Sequence, residues 1–234
     1  MKTALLLLVI GYNIYLCTAP VPVPSSVSAT TPATSPVNPY SLIRAGEPLL
    51  QEGDLVVRMN NDPMSIYIKS FNRKDPRYSH AGIVLMENGK PVIFHIVNGS
   101  VNADDKMKKD SLGAFADPRQ NSAYGIFRYK LAAGEIKRLK EKIRQWYKQG
   151  VSFDPAFNLQ SDDKMYCSEM VRKALDYATH GRVAIAATAL TEREALLFGA
   201  YAHLKAGSMK GMQVVAIDDL YVNGNCGKVG EYKY

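Results

Sequence analysis

The chain has 234 residues, 47% hydrophobic and 22% charged, with a formal net charge of +7. That composition describes a soluble globular domain long enough to bury a sizeable core. The 29 basic residues are spread along the chain with no dense basic block or base-stacking motif, which speaks against a nucleic-acid partner; the milder reading of the excess is attraction to anionic cell-wall polymer or to lipid headgroups at a membrane surface.

The start reads as an export signal. Lys2 gives a short positive region, and residues 4–17 are mostly apolar, interrupted by Asn13 and short for a membrane span. Cleavage is expected near Ala19, so that residues 1–19 form the signal peptide and the protein is exported, periplasmic or extracellular. Lipidation of Cys17 and a retained N-terminal anchor are the rival readings. Residues 20–39 (PVPVPSSVSATTPATSPVNP) are rich in Pro, Ser and Thr without helical periodicity. Such a stretch cannot bury a core and reads as an extended tether. The folded domain is expected over 40–234.

GDLVVRM (53–59) reads as a strand after a turn, and MSIYIKSF (64–71) as a short helix. In AGIVLMENGKPVIFHIV (81–97), two β-branched runs flank Asn88-Gly89. That pair favours a two-residue type I′ hairpin turn. A further strand is expected at YGIFRYKL (124–131). Ile136, Leu139, Ile143 and Trp146 then recur at helical spacing up to Gly150, a fitting C-terminal stop. After a loop at 151–166, a second amphipathic helix starts around Tyr166–Cys167. Residues 183–206 are Ala/Leu-rich and read as helical, and MQVVAIDDLY (212–221) as a closing strand and turn. Strands gathered early and helices grouped later argue for an α+β fold.

The hairpin brings chemistry together. A two-residue turn at Asn88-Gly89 makes Glu87 face Lys90 and Gly82 face His95. His80 lies two residues before Gly82 and so shares its face. His95 is then diagonal to His80, with backbones roughly 7–8 Å apart and side chains in reach. Gly82 leaves room between them. A register slip of one residue would put the imidazoles on opposite faces. This is the arrangement of a base and the partner that fixes its tautomer.

The second element is Cys167. From Met170, the residues Val171, Ala174, Leu175 and Ala178 trace one helical stripe, which places Cys167 in or just before the first turn. Unpaired N–H groups and the positive end of the helix dipole there favour thiolate and can hold an oxyanion. Glu169, in the same turn, reads as a residue that compensates the dipole. Taken alone, a cysteine in an apolar helix reads as core, and strand histidines as packed; only their joint placement suggests catalysis. Cys167 and Cys226 have the number to pair in an oxidising compartment, but the reactive setting of Cys167 argues against a disulfide. No Cys/His spacing suggests zinc, and no metal or organic cofactor is implied.

GDLVVR (53–58), YSHAGIVL (78–85), IFHIV (93–97) and FDPAFNLQSDDKMYCSEMV (153–171) together resemble the circularly permuted NlpC-type papain-like hydrolases of the YiiX/YaeF kind. In that family the histidine strand precedes the cysteine helix, and an aromatic-Asp pair precedes a Tyr-Cys-Ser/Thr-Glu run, here Phe153-Asp154 and Tyr166-Cys167-Ser168-Glu169. The resemblance spans roughly 50–225, with Ile217-Asp218-Asp219-Leu220 in the closing position. It implies a permuted papain-like α+β fold, an antiparallel sheet packed against a helix that carries the cysteine. It also implies Cys167 as nucleophile, His80 as base and His95 in the third polar position. Many YiiX-like members carry Glu at that third position, so His95 is a departure toward the imidazole of ordinary NlpC-type enzymes and of lecithin retinol acyltransferase relatives.

The expected chemistry is acyl transfer through an acyl-enzyme. Tyr166 is a candidate oxyanion or substrate-binding residue, or packing. Asp154 either anchors a substrate amine or orders its loop. The expected substrate is an amide in cell-wall peptide. An acyl ester or thioester, and a non-catalytic envelope binding module of the same fold, are the alternatives.

Overall fold

The computed structural model describes residues 38–98, 103–201 and 211–234. The expected export signal, Cys17, and the tether as far as Val37 lie outside the described residues, as does the end of the expected 183–206 helix. The described residues open at Asn38. The Asn38 side chain caps helix α1 (Pro39–Gly46), with Pro39 in its first turn, the position where a missing N–H costs nothing.

In chain order there follow β1 (Leu55–Asn60), α2 (Pro63–Ser70), β2 (His80–Glu87), β3 (Lys90–His95), β4 (Lys108–Asp110) and the single-turn α3 (Leu112–Phe115). Then come β5 (Asn121–Tyr129), α4 (Ala133–Gln149), α5 (Cys167–Thr179), β6 (Thr188–Ala189), α6 (Glu192–Tyr201), β7 (Gln213–Val214), α7 (Ile217–Tyr221) and β8 (Cys226–Lys233). Among the described residues, β4-β3-β2-β1-β5-β8 form one antiparallel sheet in that order. The protein is therefore α+β, as its element order suggested.

The hairpin takes the expected register. Glu87 pairs with Lys90 and Ile83 with Phe94, and Asn88 (φ 51°) and Gly89 (φ 76°) both occupy the left-handed region that a type I′ turn demands. The two sheet faces then divide the core by strand alternation. On one face, Leu55, Val57, Ala81, Ile83 and Phe94 pack with Leu139, Ile143 and Trp146 of α4 and with Met170, Val171, Leu175 and Ala178 of α5. On the other, Val56, Val84, Ile93 and Ile126 pack with Ile43 of α1 and with Leu112 and Phe115 of α3. The cysteine helix thus covers one face of the sheet, and Gly150 ends α4 in the left-handed conformation (φ 69°).

The stretch 183–191 is not helical, although it is rich in alanine. Val183 and Ile185 are buried in the main core, and Thr188–Ala189 pair with Val214 and Gln213. Tertiary pairing here overrides local propensity. Strands β4 and β8 were not legible either, since KKD and CGKVGEYK carry no clean alternation of buried positions. Cys226 lies in β8 and Cys167 opens α5; both thiols are free.

Two polar side chains tie the start of β2 to the end of the chain. Asn72 accepts hydrogen bonds from the amides of Ile217 (3.0 Å) and Asp218 (3.3 Å), and donates to the Tyr78 carbonyl (2.9 Å). Asp218, fully buried, accepts from the amides of Arg73 (2.8 Å), Lys74 (2.5 Å) and Asp75 (3.0 Å). This nest of N–H groups around a carboxylate holds the loop that delivers His80.

A Cβ added at Gly82 would stand 2.6 Å from Ile93 Cγ2, 3.0 Å from the Phe94 carbonyl and 3.1 Å from His95 Cβ. The Gly82→Ala variant is expected to lose about 1–3 kcal/mol of stability in urea unfolding, the usual range for overpacking, and most of its turnover. Wild-type stability in that variant would mean that the hairpin is loosely packed at this point.

Candidate active site

His80 begins β2 and His95 ends β3, so the hairpin turn alone fixes their spacing. The rings meet edge to face, with centroids 5.1 Å apart and His80 Nε2 2.9 Å from His95 Nδ1. The other nitrogen of His95, Nε2, lies 3.0 Å from Asp110 Oδ2. Asp110, on β4, was not singled out in the sequence. It accepts, so His95 Nε2 donates; His95 Nδ1 then accepts from His80 Nε2–H. The chain of donors runs one way and leaves the His80 Nδ1 lone pair free to take a proton. Phe115 closes the back of the pair, with ring centroids 5.6 Å from His80 and 5.0 Å from His95.

Both imidazoles are almost fully buried. Burial, reinforced by the Arg58 charge, holds His80 well below its ordinary pKa. Burial also lowers His95 to about 4, against the opposing pull of its hydrogen bond to Asp110. Burial alone would raise Asp110, but the His95 hydrogen bond and Lys108, 3.1 Å away, bring it below the usual carboxylate value.

Cys167 is the first residue of α5, so its N–H has no acceptor within the helix. The turn around it is gripped from both sides by Val215. The Val215 N–H donates to the Tyr166 hydroxyl (2.8 Å), and the Ser168 hydroxyl donates to the Val215 carbonyl (2.7 Å). Burial keeps Tyr166 protonated. Glu169 caps the turn as expected of a residue answering the dipole, accepting from the Tyr166 amide (3.3 Å) and pairing with Lys173 at 2.9 Å. Its own burial lifts its pKa to about 7.

The expectation of a thiolate at rest is corrected. Burial raises the Cys167 thiol above its ordinary value, and the nearby N–H groups of Ala81 and Ser168 and the Arg58 charge offset this only in part. Sulfur and imidazole open onto one cavity, yet no hydrogen bond joins them in this resting arrangement. Strand alternation explains the gap. The imidazole pair belongs to the face that α3 covers, and the cysteine helix to the other. They meet only where the strands end. The resting pair is therefore neutral thiol and neutral imidazole, and proton transfer belongs to the substrate complex, where catalytic hydrogen bonds tighten.

The cavity has a volume of about 460 Å³. Arg58, Asn60, His80, Tyr166, Cys167 and Ser168 supply polar groups to its wall. Arg58 pairs with His80 across β1 and β2. It is buried, its Nη1 donates to the Phe115 carbonyl, and its guanidinium lies 4.6 Å from the Phe115 ring. Desolvation lowers it to about 10. The signal for Arg58 in the sequence was a single charge closing an apolar strand.

Asp154 is not part of this wall. Its carboxylate accepts from the amides of Ala156 (2.9 Å) and Asn158 (2.5 Å), so of the two readings offered for it, the geometry matches loop ordering. Phe157, in the same loop (φ 53°), stacks on Tyr166 at 4.7 Å between centroids.

A family model described as a permuted papain-like amidase enzyme, YaeF/YiiX, C92 family, matches residues 49–218. Among curated proteins, the uncharacterized protein YiiX of Escherichia coli (strain K12) is 28% identical over 135 residues, which is 57% of this chain and 61% of that protein. The match thus spans less than two thirds of that relative. A crystal structure described as metalloprotein YiiX from Escherichia coli O157:H7 superposes with a TM-score of 0.63 at 20% identity, over 79% of this chain and 98% of that one. Its likeness is one of fold. Among the described residues of the present chain, no three His, Cys, Asp or Glu are grouped to hold a metal ion. Both His95 nitrogens are also spent on hydrogen bonds. Among the described residues, the side chains therefore do not fit a resident metal.

Two outcomes are expected. His95 ordinarily titrates near 6.5 and here near 4, so on acidification the unfolded chain binds the proton first. Stability is then complete above about pH 6.5 and drains away toward pH 4, by up to about 3 kcal/mol from this residue. Urea midpoints followed across that window should fall less steeply for His95→Gln; identical slopes would show that the ring is not held neutral. Asp110→Asn should lower kcat roughly tenfold or more with little change in KM, because an amide can donate and unsettle the tautomers. Imidazole ¹⁵N shifts should report the mixed tautomers; a single unchanged tautomer would deny Asp110 its positioning role.

Proposed function

Because the chain belongs to the permuted papain-like amidase family of the YaeF/YiiX type, we propose that this cysteine hydrolase is exported and cleaves an amide bond through Cys167, His80 and His95. The observation that carries this reading is the one-way hydrogen-bond chain Asp110–His95–His80 beside a cavity that also holds Cys167.

In the first step the sulfur of Cys167 bonds to the amide carbonyl carbon while its proton passes to His80 Nδ1. The oxyanion meets the N–H of Cys167 and the hydroxyl proton of Tyr166, which is free because that oxygen accepts from Val215. His80 returns the proton to the leaving nitrogen as the C–N bond breaks. Water then loses a proton to His80 and bonds to the acyl carbon. The S–C bond breaks, and the sulfur regains a proton. The sum is amide plus water giving carboxylic acid plus amine. His95, aligned by Asp110, keeps His80 in the tautomer this cycle requires. Export and the family resemblance together suggest an envelope molecule as substrate, with cell-wall peptide among the candidates.

Trapping with an acyl-electrophile probe and mass spectrometry should place one acyl group on Cys167, and Cys167→Ala should abolish turnover by about three or more orders of magnitude. Alkylation by iodoacetamide should be slow at neutral pH and slower still in His80→Ala. A free-thiol pH profile that ignores the His80 substitution would defeat the proposal.

A further inference from the structure

The first turn of α5 carries an acid that the acyl-transfer cycle does not use. Glu169 is fully buried. Its Oε2 accepts from the Tyr166 amide at 3.3 Å, and its Oε1 lies 2.9 Å from Lys173 Nζ, one turn further on. Lys173 Nζ also lies 2.8 Å from Asp162 Oδ1 and donates to the Ser161 carbonyl (2.5 Å). The pair therefore ties the turn that presents Tyr166 and Cys167 to the loop before it, and Phe157 of that loop packs on the Tyr166 ring. A cap of this kind costs free energy whenever it is charged, because burial strips the carboxylate of water.

The charges that surround Glu169 come from several elements. Its own helix supplies Lys173; the preceding loop supplies Asp154, which opposes its ionisation, and Asp162, which acts through Lys173. Of the elements packed on α5, α4 brings Arg138, which donates to the Ala178 carbonyl near the far end of the helix, and Lys142, which lies over Tyr177. Helix α7 brings Asp218, spent on the amides of residues 73–75, and β2 brings His80. Burial outweighs the pull of Lys173 and lifts Glu169 to about 7. The reacting groups keep their charge in that range, since burial holds both imidazoles neutral and keeps the protons of Cys167 and Tyr166 in place.

We propose that Glu169 is a positioning residue of this hydrolase: its ionised carboxylate, paired with Lys173, holds the Tyr166–Cys167 turn in the geometry that receives the oxyanion. This rests on the hydrolase reading above and adds a control on the same site. The amide that Glu169 fixes is one residue before the Cys167 N–H, and it belongs to the tyrosine whose hydroxyl is the second oxyanion donor. Protonation removes the ion pair and weakens the acceptor, so the turn loosens while sulfur and imidazole keep their own charges. Lys173 offsets the negative charge that ionisation places near the sulfur. No bond or proton of the acyl-transfer cycle passes through Glu169.

Two reagents test this on the full chain. p-Nitrophenyl acetate acylates the sulfur through an oxyanion, whereas iodoacetamide alkylates it by displacement and forms none. Both need thiolate, so the ratio of their rate constants cancels the titration of the thiol. The ratio of acylation to alkylation is expected to climb roughly tenfold with rising pH, with its midpoint at about 7. It should be flat in Glu169→Gln, which keeps an acceptor but never ionises. In Lys173→Met the step should move to higher pH, because the cation that favours ionisation is gone. Urea midpoints supply the contrast. The folded carboxyl holds its proton up to about 7 and the unfolded one only to 4.5, so the stability this residue contributes is lost as pH rises through that window. The wild-type midpoint, referred to Glu169→Gln to remove the opposite trend of His95, should fall where the ratio climbs; a purely structural brace would make both rise together. A ratio flat with pH in the wild type, or the same step in Glu169→Gln, would overturn the proposal and leave the hydrolase standing. If Glu169→Gln fails to fold, an unmoved step in Lys173→Met overturns it equally. Alkylation of Cys167 without any acylation would remove the hydrolase reading and the role of Glu169 with it.

Discussion

One hydrogen bond organises this site: His80 Nε2 to His95 Nδ1, 2.9 Å across a hairpin. It exists because Asn88 and Gly89 accept positive φ angles, which shortens the turn to two residues and sets the register of every pair behind it. Gly82 then keeps the space between the two histidine strands clear. Asp110 gives the bond a direction, since a carboxylate that accepts forces each imidazole in turn to donate and then accept. What emerges at the far end is a lone pair on His80 Nδ1 that can take a proton.

Burial sets the charge state of that site. Both imidazoles are pressed toward neutrality and the thiol toward its protonated form, so the enzyme does not rest as an ion pair. Arg58 pulls in two directions, favouring thiolate and opposing imidazolium.

The permuted order of the chain places its strongest constraints at long range. The loop before β2 is secured by Asn72 and Asp218, and the cysteine turn by the two polar groups of Val215. Both clamps draw on residues 215–218, from the end of β7 into the first turn of α7. The late part of the domain thus acts as a brace for histidine and cysteine alike. It is also why a closing Ile-Asp-Asp-Leu run matters: the aspartate at 218 is spent on three amides and not on catalysis.

The sequence by itself determined the hairpin, the diagonal approach of the two histidines, the start of the cysteine helix and the α+β class. Each of these is written in neighbours a few residues apart, through turn chemistry and the periods of helix and strand. Only the tertiary structure decided that Asp110 extends the pair, that Arg58 is buried in the cavity wall, and that Asp154 serves its own loop. It also decided that 183–191 is not helical and that β8 joins the sheet. These depend on which distant surfaces are pressed together and which are denied water. Burial and partnership of that kind leave no period in a chain, because the groups that impose them are dozens of residues away.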